Sequence, residues 1–525
     1  MYNLSTTNAN VIYGFIAYSP IVYLLKRSLP IQFYGPKTSI KKVYSQLKDH
    51  NRQITMNASE FINFYQYTPP LELYHLSIVY TFSHFLVLSI LTCYPILDTT
   101  KYFRRRIFIE STALAIPFLL SITLFQSITT TIPYLLLIFS LHLLFSHSKI
   151  FVVLKWPEIV FHSKPMPVKL PFITNLLANV VLTVSIVILA VDFQIFPYRL
   201  AKSKVYGWTL MDTGVAYFVA LNAILSAESR QETQSSTLHY RSISISKIIS
   251  PSLPLFILGG LRMLLVRLTD YHQEITEYGV SWNFFIVLGL TRVISSVLFH
   301  FFSSSCKTSI IIASCHQLFL SMGLGSFILS PDRSGFFRAN KEGIFSLPGY
   351  ISIYLFMIWI ARALFEKRHR RSNFDNIIFV CDLTFIALML GSVGLFSHYY
   401  IDPISRRECN LAFICATISL ILFIIATELM VAVMIDILQY FGFMKKPPLV
   451  KSLLNEAVAR NGLAVFLFAN ILTGLVNLTF QPKTRGSIVS ITCLILYSYC
   501  ICLFAIFCHS KRVNLKSFFS FSLRK

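Results

Sequence analysis

The sequence predicts an all-α, polytopic membrane protein, a single bundle of roughly 12–14 spanning helices. Three observations carry this. Of 525 residues, 55% are apolar and only 13% charged. The mean hydropathy of +0.63 is far above that of a water-soluble chain of this length. The cations are grouped in short clusters between apolar stretches, as at Lys101, Arg104, Arg105 and Arg106 or Lys367, Arg368, Arg370 and Arg371, which is the placement of membrane-flanking loops.

A span needs about 20 mostly apolar residues, because the hydrocarbon core is about 30 Å thick and a helix rises about 1.5 Å per residue. By that measure spans are expected near 10–25, 74–97, 108–127, 132–150, 171–191, 208–226, 249–268, 283–303, 309–330, 346–365, 377–397, 411–440, 461–480 and 487–508. The weakest are the first and the pair 108–127 and 132–150, which only Ser127 to Thr131 separates. Residues 1–525 are taken as one integral membrane domain ending in a basic tail, 510–525. Met1 to Asn10 is polar, and the apolar stretch after it reaches Lys26-Arg27 without a small-residue cleavage site, so the first helix is expected to be retained.

The net charge of +23 does not point to nucleic acid, since its cations flank apolar segments. The ten cysteines are scattered, most inside apolar runs and with no paired CxxC, so neither a metal site nor a disulfide frame is expected. Placing the tail, with Lys511, Arg512, Lys516, Arg524 and Lys525, in the cytosol puts the basic segments 441–460, 366–376, 227–248, 149–170 and 98–107 on that side. The stretch Lys26 to Lys48 falls on the other side, leaving the N-terminal topology open. The opposite face collects loops 192–207, 269–282, 331–345 and 398–410, which hold most of the membrane-proximal carboxylates, each with a cation nearby. Mixed-charge loops are common, but several such pairs on one face would suit a lipid headgroup site. Asn57, in Asn-Ala-Ser, is a glycosylation acceptor if its loop is lumenal.

The strings AVDFQIFPYRLAKSKVYGWTLMDTGV (190–215), RMLLVRLTDYHQEITEYGVSWNFF (262–285), RANKEGIFSLPGY (338–350), ISRRECNLAF (404–413) and RNGLAVFLFANILTGLVNLT (460–479) resemble the GPI-inositol acyltransferases, also called GPI-anchored wall transfer proteins. The likeness runs from about residue 175 to 480, and between 26 and 170 only hydropathy is shared. It implies an endoplasmic reticulum, multi-pass enzyme. The reaction implied is transfer of an acyl group, usually palmitoyl, from acyl-CoA as co-substrate to the inositol 2-hydroxyl of glucosaminyl-phosphatidylinositol, early in GPI-anchor synthesis. No permanently bound cofactor, metal, nucleic acid or obligatory protein partner is implied. Tyr198 stands where a second Arg is common and Ser281 where a His is common, so neither is given a catalytic role.

Acyl transfer from a thioester to an alcohol needs a base for the hydroxyl proton and a donor or cation for the developing oxyanion. Asp192, at the end of an apolar span, and Lys202, ten residues on across Phe196-Pro197, can supply both. By resemblance they are the Asp and Lys of the family's DF…PxR…AK motif, with Asp192 the general base and Lys202 the oxyanion or phosphate partner. A helix-end ion pair is the alternative reading. Asp212 is a carboxylate within a span, for headgroup contact or for bonding a neighbouring helix. Asp270, Glu274 and Glu277 suit the glucosamine ammonium or inositol hydroxyls. Tyr271, Tyr278 and Trp282 suit a sugar face or the membrane interface. Arg262 and Arg267 suit a phosphodiester. Lys341, in the triplet Asn340-Lys341-Glu342, is either a phosphate partner or a solvated loop charge. Asn461, Asn470 and Asn477 suit an interhelical hydrogen-bond seam. Arg199, Asn283, Asn340 and Asn470 complete the substrate contacts expected within the matching strings.

The absences narrow the chemistry. His398 to Asp402 is one residue short of the His-x4-Asp acyltransferase signature, and no lipase elbow, P-loop or HExxH occurs. A transporter or flippase, with Asp192, Asp212, Glu428 and Asp436 as proton relays, is the alternative from another class, although the halves show no repeat. A membrane O-acyltransferase with a sterol or protein acceptor would rely on an intramembrane His, and His300 and His316 lack a supporting pattern.

Overall fold

In the computed structural model, residues 65–147, 171–230, 245–269, 274–302, 304–366, 372–444 and 451–513 are described. They contain thirteen helices of at least 15 residues. These are α1 (Pro70–Cys93), α2 (Phe103–Ser121), α3 (Ile132–His147), α4 (Pro171–Ala190), α5 (Leu210–Ile224), α6 (Leu253–Thr269) and α7 (Phe284–Phe301). They continue with α8 (Ser305–Phe319), α9 (Leu347–Phe365), α10 (Asn373–Tyr400), α11 (Leu411–Tyr440), α12 (Leu453–Phe480) and α13 (Ser487–Ser510). Ten helical segments among the described residues are long and apolar enough to cross a membrane, and α3 and α5 are shorter apolar helices. The protein is an all-α, multi-pass membrane protein. Each expected span from 74–97 onward has its helix. The span near 10–25, Asn57, Asp270, Tyr271 and the tail beyond Val513 lie outside the described residues. The chain divides into two units, Met1–Tyr65 and Gln66–Lys525, and all thirteen helices belong to the second.

One expected span is interrupted. After α8 the chain passes through Leu320–Leu324, where Gly323 has φ of 118°, before the short helix Gly325–Leu329. Only glycine adopts that backbone without strain, which breaks the helix at this point.

The helix starts follow local chemistry. Thr209, Asn283, Asn410 and Ser452 are N-caps whose side chains accept the orphan amides of α5, α7, α11 and α12. Ser372 and Asp375 form a reciprocal capping box at α10. Apolar packing makes two clusters. One gathers α5, α7, α9 and α11, with Tyr350 and Tyr354 of α9 fully enclosed. The other gathers α1, α2, α4, α12 and α13. Hydrogen bonds between spans add to this packing, as lipid supplies little hydrophobic drive for helix association. Tyr74 Oη bonds Ser419 Oγ at 2.7 Å, Tyr80 Oη donates to Asn455 Oδ1 at 2.7 Å, and Thr81 Oγ1 donates to Glu428 Oε1 at 2.7 Å.

Two of the basic segments meet among the described residues. Arg106, from the basic segment 98–107, pairs with Asp98 and Glu110 and donates to Lys451 O at 2.5 Å. That joins it to the basic segment 441–460. The four carboxylate-bearing loops meet each other instead, Gly207 N–H donating to Ile404 O at 2.8 Å and Val280 N–H to Ala339 O at 3.0 Å.

Candidate active site

The site is built where these four loops interlock, beside the C-terminal end of α4. Two glycines allow the closest approach. Gly279 has φ of 111°, and a Cβ there would lie 2.5 Å from Asn340 Cα. A Cβ on Gly343 would lie 2.6 Å from Tyr278 O and 2.7 Å from Trp282 Cε3. Asn340 completes the clasp, its Oδ1 accepting Ser281 N–H at 2.8 Å and its Nδ2 donating to Phe336 O at 3.0 Å.

Two buried ion pairs hold the loops from below. Asp212, in the first turn of α5, accepts Arg406 Nε at 2.9 Å, Ser203 N–H at 3.2 Å and Thr209 Oγ1 at 2.9 Å. Glu342 accepts Arg333 at 2.6 and 2.7 Å and Arg407 at 2.6 Å. A carboxylate this deep is tolerable only with its lone pairs filled and a cation in contact, which both possess. Burial disfavours the charge of Arg406, and Asp212 and then Glu277 more than restore it.

Above them stand the two residues of greatest interest. Asp192 lies just past α4, half-buried, and Asn477 Nδ2 of α12 donates to its Oδ2 at 2.8 Å. Burial pushes the Asp192 carboxyl above its ordinary value, against the opposing pull of the Asn477 hydrogen bond, Lys483 and Lys202. Lys202 does not pair with Asp192, as a helix-end ion pair would require. Its Nζ donates instead to Glu277 Oε1 at 2.7 Å. Burial works to raise the Glu277 carboxyl, but Lys202, Arg406 and Arg262 override it and hold it below its usual value. The ammonium is therefore tethered, and 41% of its side chain is still exposed. Beside Glu277 a small cleft runs between Arg262 and Arg267 of α6 and the turn Val280–Asn283, with Trp282 on its wall.

Several expected contacts have other duties. Lys341 is not a solvated loop charge: it is fully buried, and its Nζ donates to Ser330 O and Oγ at 2.5 Å and to Asp332 O at 3.1 Å. Asn283 caps α7, accepting Phe285 and Ile286 N–H while donating to Gly259 O at 2.8 Å. Tyr278 is 7% exposed and packs in the core, so its ring meets neither a sugar nor the membrane interface. Arg199 is bound to Glu72 of α1 at 2.7 Å and to Gln126 Oε1 at 2.8 Å. The asparagine seam does not form. Asn461 and Asn470 donate to Ala457 O and Phe466 O of their own helix, and only Asn477 reaches out, to Asp192.

The sequence reading missed the partners rather than the charges. Arg406, Arg407, Glu72 and the role of Asn477 were not foreseen. An unbalanced carboxylate was the available signal: Asp212 has no cation three or four residues away, so a distant loop had to supply one.

Comparison with known proteins follows the same residues. A family model described as GWT1 matches residues 56–508, extending the likeness well ahead of residue 175. A Dictyostelium discoideum phosphatidylinositol-glycan biosynthesis class W protein is 29% identical over 450 residues, 78% of this chain and 88% of its own. The Bos taurus glucosaminyl-phosphatidylinositol-acyltransferase PIGW is 30% identical over 374 residues, 63% of this chain and 72% of its own. A Cryptococcus neoformans GPI-anchored wall transfer protein 1 is 32% identical over 374 residues, 63% and 61% of the two chains. A match across most of the chain, on a fold of the expected kind, makes this protein a member of the GWT1 family.

Proposed function

We propose that this protein is an endoplasmic reticulum acyltransferase of GPI-anchor synthesis, moving a fatty acyl group, palmitoyl in the family's usual case, from acyl-CoA to the inositol 2-hydroxyl of glucosaminyl-phosphatidylinositol. The observation that carries the proposal is a half-buried carboxyl, oriented by Asn477 and held above its ordinary value, with a tethered ammonium within electrostatic reach. In this mechanism Asp192 takes the hydroxyl proton as the inositol oxygen attacks the thioester carbonyl. The new C–O bond forms, Lys202 steadies the oxyanion, and collapse breaks the C–S bond. The proton on Asp192 then passes to the departing thiolate. Glu277 holds Lys202 in place without filling its remaining donor positions. The Arg262 and Arg267 cleft suits a phosphate oxygen of either substrate.

Against the transporter reading, two of its four relay carboxylates are already engaged: Asp212 by Arg406, Ser203 and Thr209, and Glu428 by Thr81. The test is to express the chain in cells lacking inositol acylation and supply their microsomes with labelled glucosaminyl-phosphatidylinositol and palmitoyl-CoA. A base-stable acylated product is expected. Its absence, with the protein present, would refute the proposal.

A further inference from the structure

Between α12 and α13 runs a groove of about 410 Å³ that the chemistry above does not use. Its walls are apolar, among them Val476, Phe480, Ile488, Leu496 and Cys500. The one phenol there, Tyr497, turns its hydroxyl inward, donating to Ser185 O at 2.9 Å and bonding Thr473 Oγ1 at 3.0 Å. Along α13 the lining runs from Ile488 to Cys500, about 18 Å at ~1.5 Å per residue. That is close to the depth of one leaflet, about half of a ~30 Å hydrocarbon core. Its volume is within the ~300–1,000 Å³ of ordinary ligand sites.

The end of the groove is chemically different. The linker between the helices carries Lys483 and Arg485, both exposed. The guanidinium of Arg485 lies over the Phe480 ring, 4.8 Å from its centroid, with its Nε donating to Phe480 O at 2.9 Å. A lining residue of the groove thus carries the cation at its mouth. The same mouth adjoins the reaction centre, since Lys483 of the linker acts electrostatically on the Asp192 carboxylate, which Asn477 of α12 holds at 2.8 Å. An apolar channel one leaflet deep, then two cations, then a carboxylate, matches in order the fatty chain, phosphodiester and polyol of an inositol phospholipid.

We propose that the groove between α12 and α13 binds a fatty chain of the inositol phospholipid acceptor, with its phosphodiester on Lys483 and Arg485 and its inositol facing Asp192. The inference rests on the acyltransferase reading for the role of Asp192, while the lipid site itself is testable without turnover. The full chain in phosphatidylcholine nanodiscs is exposed to phosphatidylinositol carrying a diazirine in one fatty chain, irradiated, and mapped by mass spectrometry. Labelling is expected within Ile488–Cys500, several-fold weaker in the Lys483→Gln/Arg485→Gln double variant. It is also expected to weaken in Leu496→Trp, a lipid-exposed position where a larger side chain fills the groove without disturbing the core. Equal labelling by diazirine phosphatidylcholine would overturn the proposal by making this an unspecific lipid furrow. Preferential labelling by a diazirine acyl-CoA would overturn it by assigning the groove to the donor. In microsomes the same variants should raise the acceptor KM about tenfold or more and leave the donor KM in place. If wild type makes no product but phosphatidylinositol still labels the groove, the acyltransferase reading fails and the lipid site stands.

Discussion

Asp192 and Glu408 show how burial sets two carboxyls to different tasks. Asp192 is raised by burial and partly restored by Asn477, Lys483 and Lys202, so it ionises above the ordinary carboxylate range yet keeps a hydrogen bond that fixes its direction. A general base must be ionised, so activity should fall as pH drops through that raised value. Asn477→Ala removes a hydrogen bond to a charged group, an interaction of about 1.5–3 kcal/mol. The expected outcome is roughly tenfold or more lost near neutral pH, with the acidic limb of the kcat profile moved to higher pH. An unmoved limb would count against Asp192 as the titrating base. Glu408 lies between α10 and α11, and burial and then Asp402 push its carboxyl up to about 8 against the pull of Arg407. It folds protonated, so stability should fall as pH rises from about 4.3, the unfolded value, to about 8 and level off beyond. Thermal melts of the purified protein across that range check this, and Glu408→Gln should flatten the slope. A slope unchanged in the variant would place the effect elsewhere.

At the scale of elements, the helices supply position and the loops supply charge. The site depends on the clasp between the turn at Gly279 and the short helices Gly335–Ala339 and Lys341–Phe345. Gly279→Ala places a methyl 2.5 Å from Asn340 Cα and 2.7 Å from Ala339 O at a positive φ. It should cost about 1–3 kcal/mol through backbone strain alone and displace Glu277, the tether of Lys202. A lowered Tm together with weakened acylation is expected, and an unchanged Tm would show that the clasp is slack. The helices themselves were legible in the sequence, because an apolar run of about 20 residues has one stable form in lipid. Their polar fastenings were less so. Hydropathy placed Asp212 on a span but said nothing of Arg406, which arrives from a loop 194 residues away. The break at Gly323 was hidden for a similar reason, since the residues around it are as apolar as those of an unbroken helix.

Across the described residues, like loops meet like. Loops rich in cations meet through Arg106 and Lys451, and the carboxylate-bearing loops meet through Asp212, Glu277 and Glu342. The convergence of the four loops was readable from lysine and arginine spacing. The individual partners were not, because an ion pair between loops leaves no periodic trace. Asp192 and Lys202 illustrate this: residue types and spacing nominated both, whereas the structure gives each its own anchor, Asn477 and Glu277. The central claim is that these two anchored groups perform the transfer. It is tested most directly by assaying Asp192→Asn and Lys202→Ala against wild type in microsomes at matched protein levels. Each variant should lose about a hundredfold or more of the inositol-acylating rate, the scale of general acid–base catalysis. Wild-type rates in either variant would contradict it.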